Sequence, residues 1–363
     1  MMWAMKSVVA GILISTLGAA AAAAAEGSGA LSSLQNRSIA YVITNDYWAI
    51  YTTPDKKECP QGLNEYGPRE QFAVLYPKDG PARKVVETEL DYEKNVWFPT
   101  LDPYPIEFNE GAGKTAPGLN LDGKDGSNDF VSPDGETGID NQFHRFLACI
   151  SDYRPEGTLH QLWDHFMHYH NYTRVLIELT DVDNLSNDDD VTVTMYRGMD
   201  DATTDATGTS FLPYGTQRID TRWGKDFTKR MHGKIANGLL TTEPVDTYFP
   251  YNYAFEDFGR YMMRGARLKL NLTPESAHGL WAGYVDIWSW YRTLIGALGT
   301  HSMNQGRQAA PSMYRAMHKL ADAYPDAKTG QNTALSAARE VTFRQVFIDH
   351  SEKKVAAIGA DSQ

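Results

Sequence analysis

The residue types that could do chemistry gather between Gly118 and Ile150, in GLNLDGKDGSNDFVSPDGETGIDNQFHRFLACI. Asn120, Asp122, Asp125, Asn128, Asp129, Asp134 and Asp140 offer carboxylate and amide oxygens there, spaced among Gly123, Gly126, Gly135 and Gly138. Glycine lets a backbone fold tightly through φ > 0. Closely spaced anionic oxygens repel one another unless a cation lies between them, and calcium takes six to eight such ligands. The spacing is not that of an EF-hand, because the required glycine and twelfth-position glutamate fall out of register. The stretch therefore reads either as a calcium site or as a well-solvated loop, and calcium is the expected cofactor. A second acidic run, DVDNLSNDDD, could add Asp181, Asp183, Asp188, Asp189 or Asp190 if it folds nearby. Otherwise it is a charged hairpin tip.

Two other constellations carry chemistry. His160, Asp164 and His168 stand at i, i+4 and i+8, on the helix face opposite Leu159, Leu162, Trp163 and Phe166. They would present transition-metal ligands along a helix, or simply form its wet face. In LWAGYVDIWSWY (280–291), alternation puts Asp286, Trp288 and Trp290 on one side of an expected strand. Aromatic faces beside an acid make a stacking platform for a sugar, and the same residues can equally be core. There is no Gly-x-Ser-x-Gly elbow, P-loop, His-Glu-x-x-His or dinucleotide glycine motif. Paired carboxylates for glycoside cleavage have no sequence spacing to test.

The elements that must position these residues are mostly short strands. IAYVITNDYWAIYTTP (39–54) reads as one or two strands, and EQFAVLYP (70–77) as another. FPTLDPYPIEF (98–108) is punctuated by proline and reads as extended. Val175–Thr180 and Val191–Arg197 read as a long-looped hairpin. Asn237-Gly238 marks a tight one. RLKLNL (267–272) alternates, LWAGYVDIWSWY reads as a largely buried strand to Tyr291, and VTFRQVFID (341–349) as the last strand. Helical spacing occurs over 140–151, 158–170 with Thr158 as N-cap, and 311–324 with Pro311 in the first turn. Many strands between turns with a few helices predict a mainly β fold, an antiparallel β-sandwich with helical insertions, with α+β as the alternative.

The chain opens with a basic residue, an apolar stretch and an alanine run, which reads as a signal peptide over 1–25. A flexible lead-in (26–37), one β-rich domain (38–350) and a frayed tail (351–363) follow. No later run is apolar enough to span a bilayer. The net charge of −12 opposes nucleic-acid and anionic-membrane binding. Cys59 and Cys149 are the two cysteines, either a disulfide or free buried thiols.

The blocks GIDNQ (138–142), VDNLSNDDDV (182–191), GLLTTEPVD (238–246) and AGYVDIWSWY (282–291) resemble those of secreted bacterial proteins of unassigned function. The resemblance implies a bacterial envelope location and carries no activity. The expectation is an exported, calcium-stabilised β-rich binding or envelope protein whose partner is a carbohydrate or other small ligand. A secreted polysaccharide hydrolase or lyase and a periplasmic transition-metal protein are the alternatives.

Overall fold

The computed structural model describes residues 34, 36–64, 107–171, 173–251, 259–298 and 310–350. The signal-peptide segment, most of the lead-in, EQFAVLYP, most of FPTLDPYPIEF and the tail lie outside the described residues. Eight strands pair in succession: β1 (Ile39–Trp48), β2 (Val175–Thr180), β3 (Asn187–Arg197), β5 (Lys229–Ala236), β6 (Leu239–Thr242), β8 (Arg260–Leu272), β9 (Ser276–Asp286) and β11 (Asn332–Asp349). Every neighbour is antiparallel, and β11 returns to pair with β1 from Ala40↔Val346 to Trp48↔Arg339. The sheet therefore closes on itself. The expected sandwich is corrected to an eight-stranded antiparallel barrel. Alternation of apolar and polar residues marks a strand with one buried face. It does not say whether that face meets a second sheet or its own far side.

Three short strands lie off the ring. β4 (Gly215–Arg218) runs parallel to the end of β11, β7 (Val245–Pro250) extends the wall along β8, and β10 (Ala323–Pro325) pairs with the start of β11. Bulges bend the ring at Ile43/Asn45 in β1 and at Arg264/Arg267 in β8. The Asn237-Gly238 turn joins β5 to β6 with both residues at positive φ (52° and 78°), as a type I′ turn requires.

The barrel is filled. Alternate residues of each strand enter the lumen, among them Tyr41, Val193, Met195, Met231, Met263, Leu268, Trp281 and Phe343. Four helices, α1 (Gln142–Leu147), α2 (Thr158–Tyr169), α3 (Ile287–Leu298) and α4 (Ala310–Leu320), pack at the end where β1 finishes and β11 begins. Helix α2 starts at Thr158, but its N-cap is Gly157, without a side-chain cap, so the expected Thr158 cap is corrected. It buries Leu159, Trp163, Phe166 and Met167, as its 3.6-residue pattern predicts.

At the closing seam charged residues break the apolar rule. Between Ala337 and Val341, the inward residue of β11 is Arg339. Its Nε donates to the Asp46 carboxylate, one Nη donates to the Tyr261 hydroxyl, and the other donates to the Asp46 carbonyl at 3.3 Å. The guanidinium lies 4.4 Å from the Trp48 ring centroid and 5.8 Å from that of Phe249. Both charged side chains are buried. Beside them is a cavity of about 30 Å³ lined in part by His160, Trp163 and Tyr251, room for one or two waters. Removing one partner of such a pair strands the other in apolar surroundings, at about 3–5 kcal/mol. Arg339→Leu should lose that much in urea unfolding followed by circular dichroism. The double change Asp46→Leu with Arg339→Met should recover at least half of it.

Candidate functional site

Strand β9 presents Tyr284 and Asp286 outward, and at Asp286 the chain turns into α3. The expected strand to Tyr291 is corrected here: a helix begins at Ile287. The Asp286 carboxylate makes the turn, its Oδ1 accepting from the Ser289 N–H at 2.9 Å. The Ser289 hydroxyl donates back to the Asp286 carbonyl at 3.1 Å and accepts from the Met262 N–H at 2.9 Å. Residues two apart on a helix point about 200° away from each other, not to one side. Trp288 is accordingly 54 % exposed, while Trp290 is fully buried. Trp290 packs edge-on against Phe143 and Phe146, with centroids 5.3 and 5.6 Å away. Of the three residues expected to form a platform, Asp286 and Trp288 share a site and Trp290 belongs to the core.

That site is a cleft of about 550 Å³ on the outer wall, between the end of β9, α3, α4 and β10. Arg264 of β8 donates to Asp286 Oδ2 at 2.8 Å and lies over the Tyr324 ring, 4.9 Å from its centroid. Tyr324 stands at φ 56°, which directs its half-exposed ring beside the cleft. His318 packs edge-on against Tyr314, centroids 4.5 Å apart, and burial holds its imidazole below the usual range. Pockets of this size, part apolar with a few convergent polar groups, take small ligands.

The acidic glycine loop packs beside Tyr284, one ring away from the cleft. It is neither bare nor floating. Leu119 and Leu121 pack on Ala282 and Ala338 of the outer wall, and Ala116, Phe130 and Ile139 make a small core of its own. Its oxygens are met largely by its own backbone. Asn120 Oδ1 accepts from Gly123 N–H at 2.7 Å, and Asp122 Oδ1 accepts from Lys124 N–H at 2.8 Å. Asp129 accepts from Gly126 N–H. Asp140 Oδ2 accepts from Leu121 and Asp122 N–H at 2.6 and 3.3 Å. Gly138 is at φ +71°, and a Cβ there would come within 2.3 Å of the Lys124 carbonyl oxygen, so only glycine closes the loop. Asp125 and Asp134 are exposed, and Asn128 gives its carbonyl to Gln142 Nε2 at 3.3 Å. Burial raises the Asp140 pKa, and the nearby Asp122 and Asp129 charges add to the rise. Burial and the charges of Asp140, Asp322 and Asp122 likewise push the Tyr284 phenol up. Tyr284 in turn meets Tyr324 at 5.6 Å, linking loop to cleft.

The other constellations lie apart. Asp181, Asp183 and Asp188–Asp190 are at the opposite end of the barrel, where Arg37 pairs with Asp183 at 2.9 Å and His232 with Asp190 at 3.3 Å. On α2, His160 stacks on Tyr47 at 3.7 Å and the Asp164 carboxylate accepts the Tyr47 hydroxyl. His168 lies against Phe211 at 4.4 Å. Among the described residues no group of three or more His, Cys, Asp or Glu side chains gathers as a metal would require. Cys59 and Cys149 are bonded, with Cα atoms 5.5 Å apart, tying the segment after β1 to the end of the acidic loop. No family model, curated protein or solved structure matches the chain.

Sequence reasoning missed the polar residues that hold this region together. Asn141, wholly buried, caps α1 and donates to the Ala49 and Pro117 carbonyls at 2.7 and 2.6 Å. His144, equally buried, accepts the Tyr51 N–H on Nδ1 at 3.3 Å. Asn141 stands between Asp140 and Gln142 and His144 beside Arg145, so neither is marked as buried by its neighbours in sequence. Burial lowers the His144 pKa to about 4. In the unfolded chain an ordinary histidine takes its proton near pH 6.5, so unfolding is favoured as pH falls from about 6.5 to about 4. The integrated contribution is about 3 kcal/mol. Burial raises the Asp46 and Asp140 carboxyls, which act in the opposite sense. The stability difference between wild type and His144→Leu should therefore shift in the variant's favour by about that amount as pH is lowered through this window, measured by urea unfolding at each pH.

Proposed function

We propose that this is an exported binding protein that holds a carbohydrate-type ligand in the outer-wall cleft. The observation that carries the reading is an exposed indole, Trp288, beside the Arg264–Asp286 pair in a cleft large enough for one or two sugar rings. A tryptophan left in water has an apolar face to cover, and the C–H face of a sugar covers it while neighbouring polar groups take the hydroxyls. The signal-like leader and the Cys59–Cys149 bond support an oxidising, exported setting. Asp286 has one oxygen on the α3 N-terminus and the other on Arg264, which favours binding over acid–base cleavage. In titration calorimetry across a glycan panel, at least one oligosaccharide should bind, and Trp288→Ala should weaken it at least tenfold with the melting temperature unchanged. Silence on every glycan would sink the reading, and release of reducing sugar from a bound glycan would turn it toward the enzyme.

Calcium at the acidic loop is a second reading, favoured by the way Asp122 and Asp129 press on the Asp140 carboxyl. A cation there would relieve that repulsion. Calcium at a hundred times its Kd should stabilise the EDTA-treated protein by about 2.7 kcal/mol and leave Asp140→Asn unmoved. An unchanged melting temperature in the wild type would leave the loop held by its own amides.

A further inference from the structure

We infer that the cleft's occupant is an acidic sugar, a uronate, seated with its ring on Trp288 and its carboxylate on Arg264. The inference rests on the carbohydrate-binding reading and narrows it to a charge class.

The hydrogen bonds already made within the cleft determine what it has left to offer. Neutral sugars are usually gripped by carboxylates and amide oxygens that accept from hydroxyls. Both carboxylates here already accept from their own chain, Asp286 through both oxygens and Asp326 through Oδ1. Asp286 accepts from Ser289 N–H at 2.9 Å and from Arg264 at 2.8 Å. Asp326 Oδ1 accepts from the Lys328 and Thr329 N–H groups at 3.0 and 2.8 Å and from the Thr329 hydroxyl at 3.0 Å. The Thr333 hydroxyl donates to the Tyr324 carbonyl at 2.7 Å.

What faces the cleft beyond these is donor-rich. The Arg264 guanidinium carries five N–H groups in a fixed fork, and its hydrogen bond to Asp286 uses one of them. The fork is braced against the Tyr324 ring and its side chain is 31 % exposed. His318 and Tyr314 add a ring nitrogen and a phenol on the α4 side. A planar, braced guanidinium is matched by a carboxylate, which takes two parallel N–H bonds where a hydroxyl takes one. The chain's net charge of −12 works against polyanions at a distance, so recognition must be local and short-ranged.

The test compares trisaccharides of galacturonate, mannuronate, guluronate and glucuronate, each beside its own methyl ester, by titration calorimetry. Esterification keeps the ring and removes the charge. At least one acid should bind at least tenfold more tightly than its ester. That preference should vanish in Arg264→Gln, be partly kept in Arg264→Lys, and shrink for the wild type between 50 and 500 mM salt. Trp288→Ala should abolish binding of acid and ester alike. Esters that bind as tightly as acids, still through Trp288, would overturn the acidic-sugar assignment and leave the cleft reading standing. Absence of Trp288-dependent binding across both series and the neutral panel would overturn both.

Discussion

A single guanidinium inside an apolar barrel sets the terms for this structure. Arg339 enters the lumen because strand alternation places it there, and a buried cation is tolerated only when its partners are in place. Those partners come from three directions: Asp46 from the bulged end of β1, Tyr261 from the start of β8, and an aromatic wall from Trp48 and Phe249. Strands β1 and β11 are also the pair that closes the ring. The closing seam thus carries both a ladder of backbone hydrogen bonds and a buried ion pair, and a slip in register at that seam would leave both charges unmet.

The same logic recurs around the helical end. Arg174, fully buried, donates to the Met167 and His170 carbonyls at the end of α2, at 2.9 Å each, and to the Ile43 carbonyl at the β1 bulge at 3.0 Å. A helix C-terminus concentrates negative partial charge, so these carbonyls stand in for an anion. Burial nonetheless lowers the Arg174 pKa to about 10. Arg154 meets buried Glu58 at 2.6 Å next to the disulfide. A bond closing a loop of this length constrains the unfolded chain by about 4.6 kcal/mol in the entropy model. Together they hold α2 against the β1 bulge and the end of the acidic loop against the segment after β1.

Much of the wall was legible in the sequence. Val175–Thr180 and Asn237-Gly238 fall where alternation and turn chemistry put them, and the helical pattern from Thr158 buries the residues it should. Closure was not legible, because the pairing of β1 with β11 joins residues about 300 apart and leaves no local mark. The run through Asp286 was misread because WSWY suits either period when both faces are aromatic. The deciding residue was Asp286, whose carboxylate accepts the Ser289 N–H and so starts a helix, with the Ser289 hydroxyl returning to the Asp286 carbonyl. In the acidic loop, composition showed the charges but hid Leu119 and Leu121, two apolar residues that lay it flat against the barrel.

The closing seam has one more consequence, for how the molecule can be attached to anything else. Near Ala40 and Val346 the first and last strands run side by side, so the two tethering points of the body emerge together from one pole. The Trp288 cleft lies toward the other pole, near where β9 ends. A fusion or anchor joined through either tether would attach at the pole away from the end of the wall that carries Trp288.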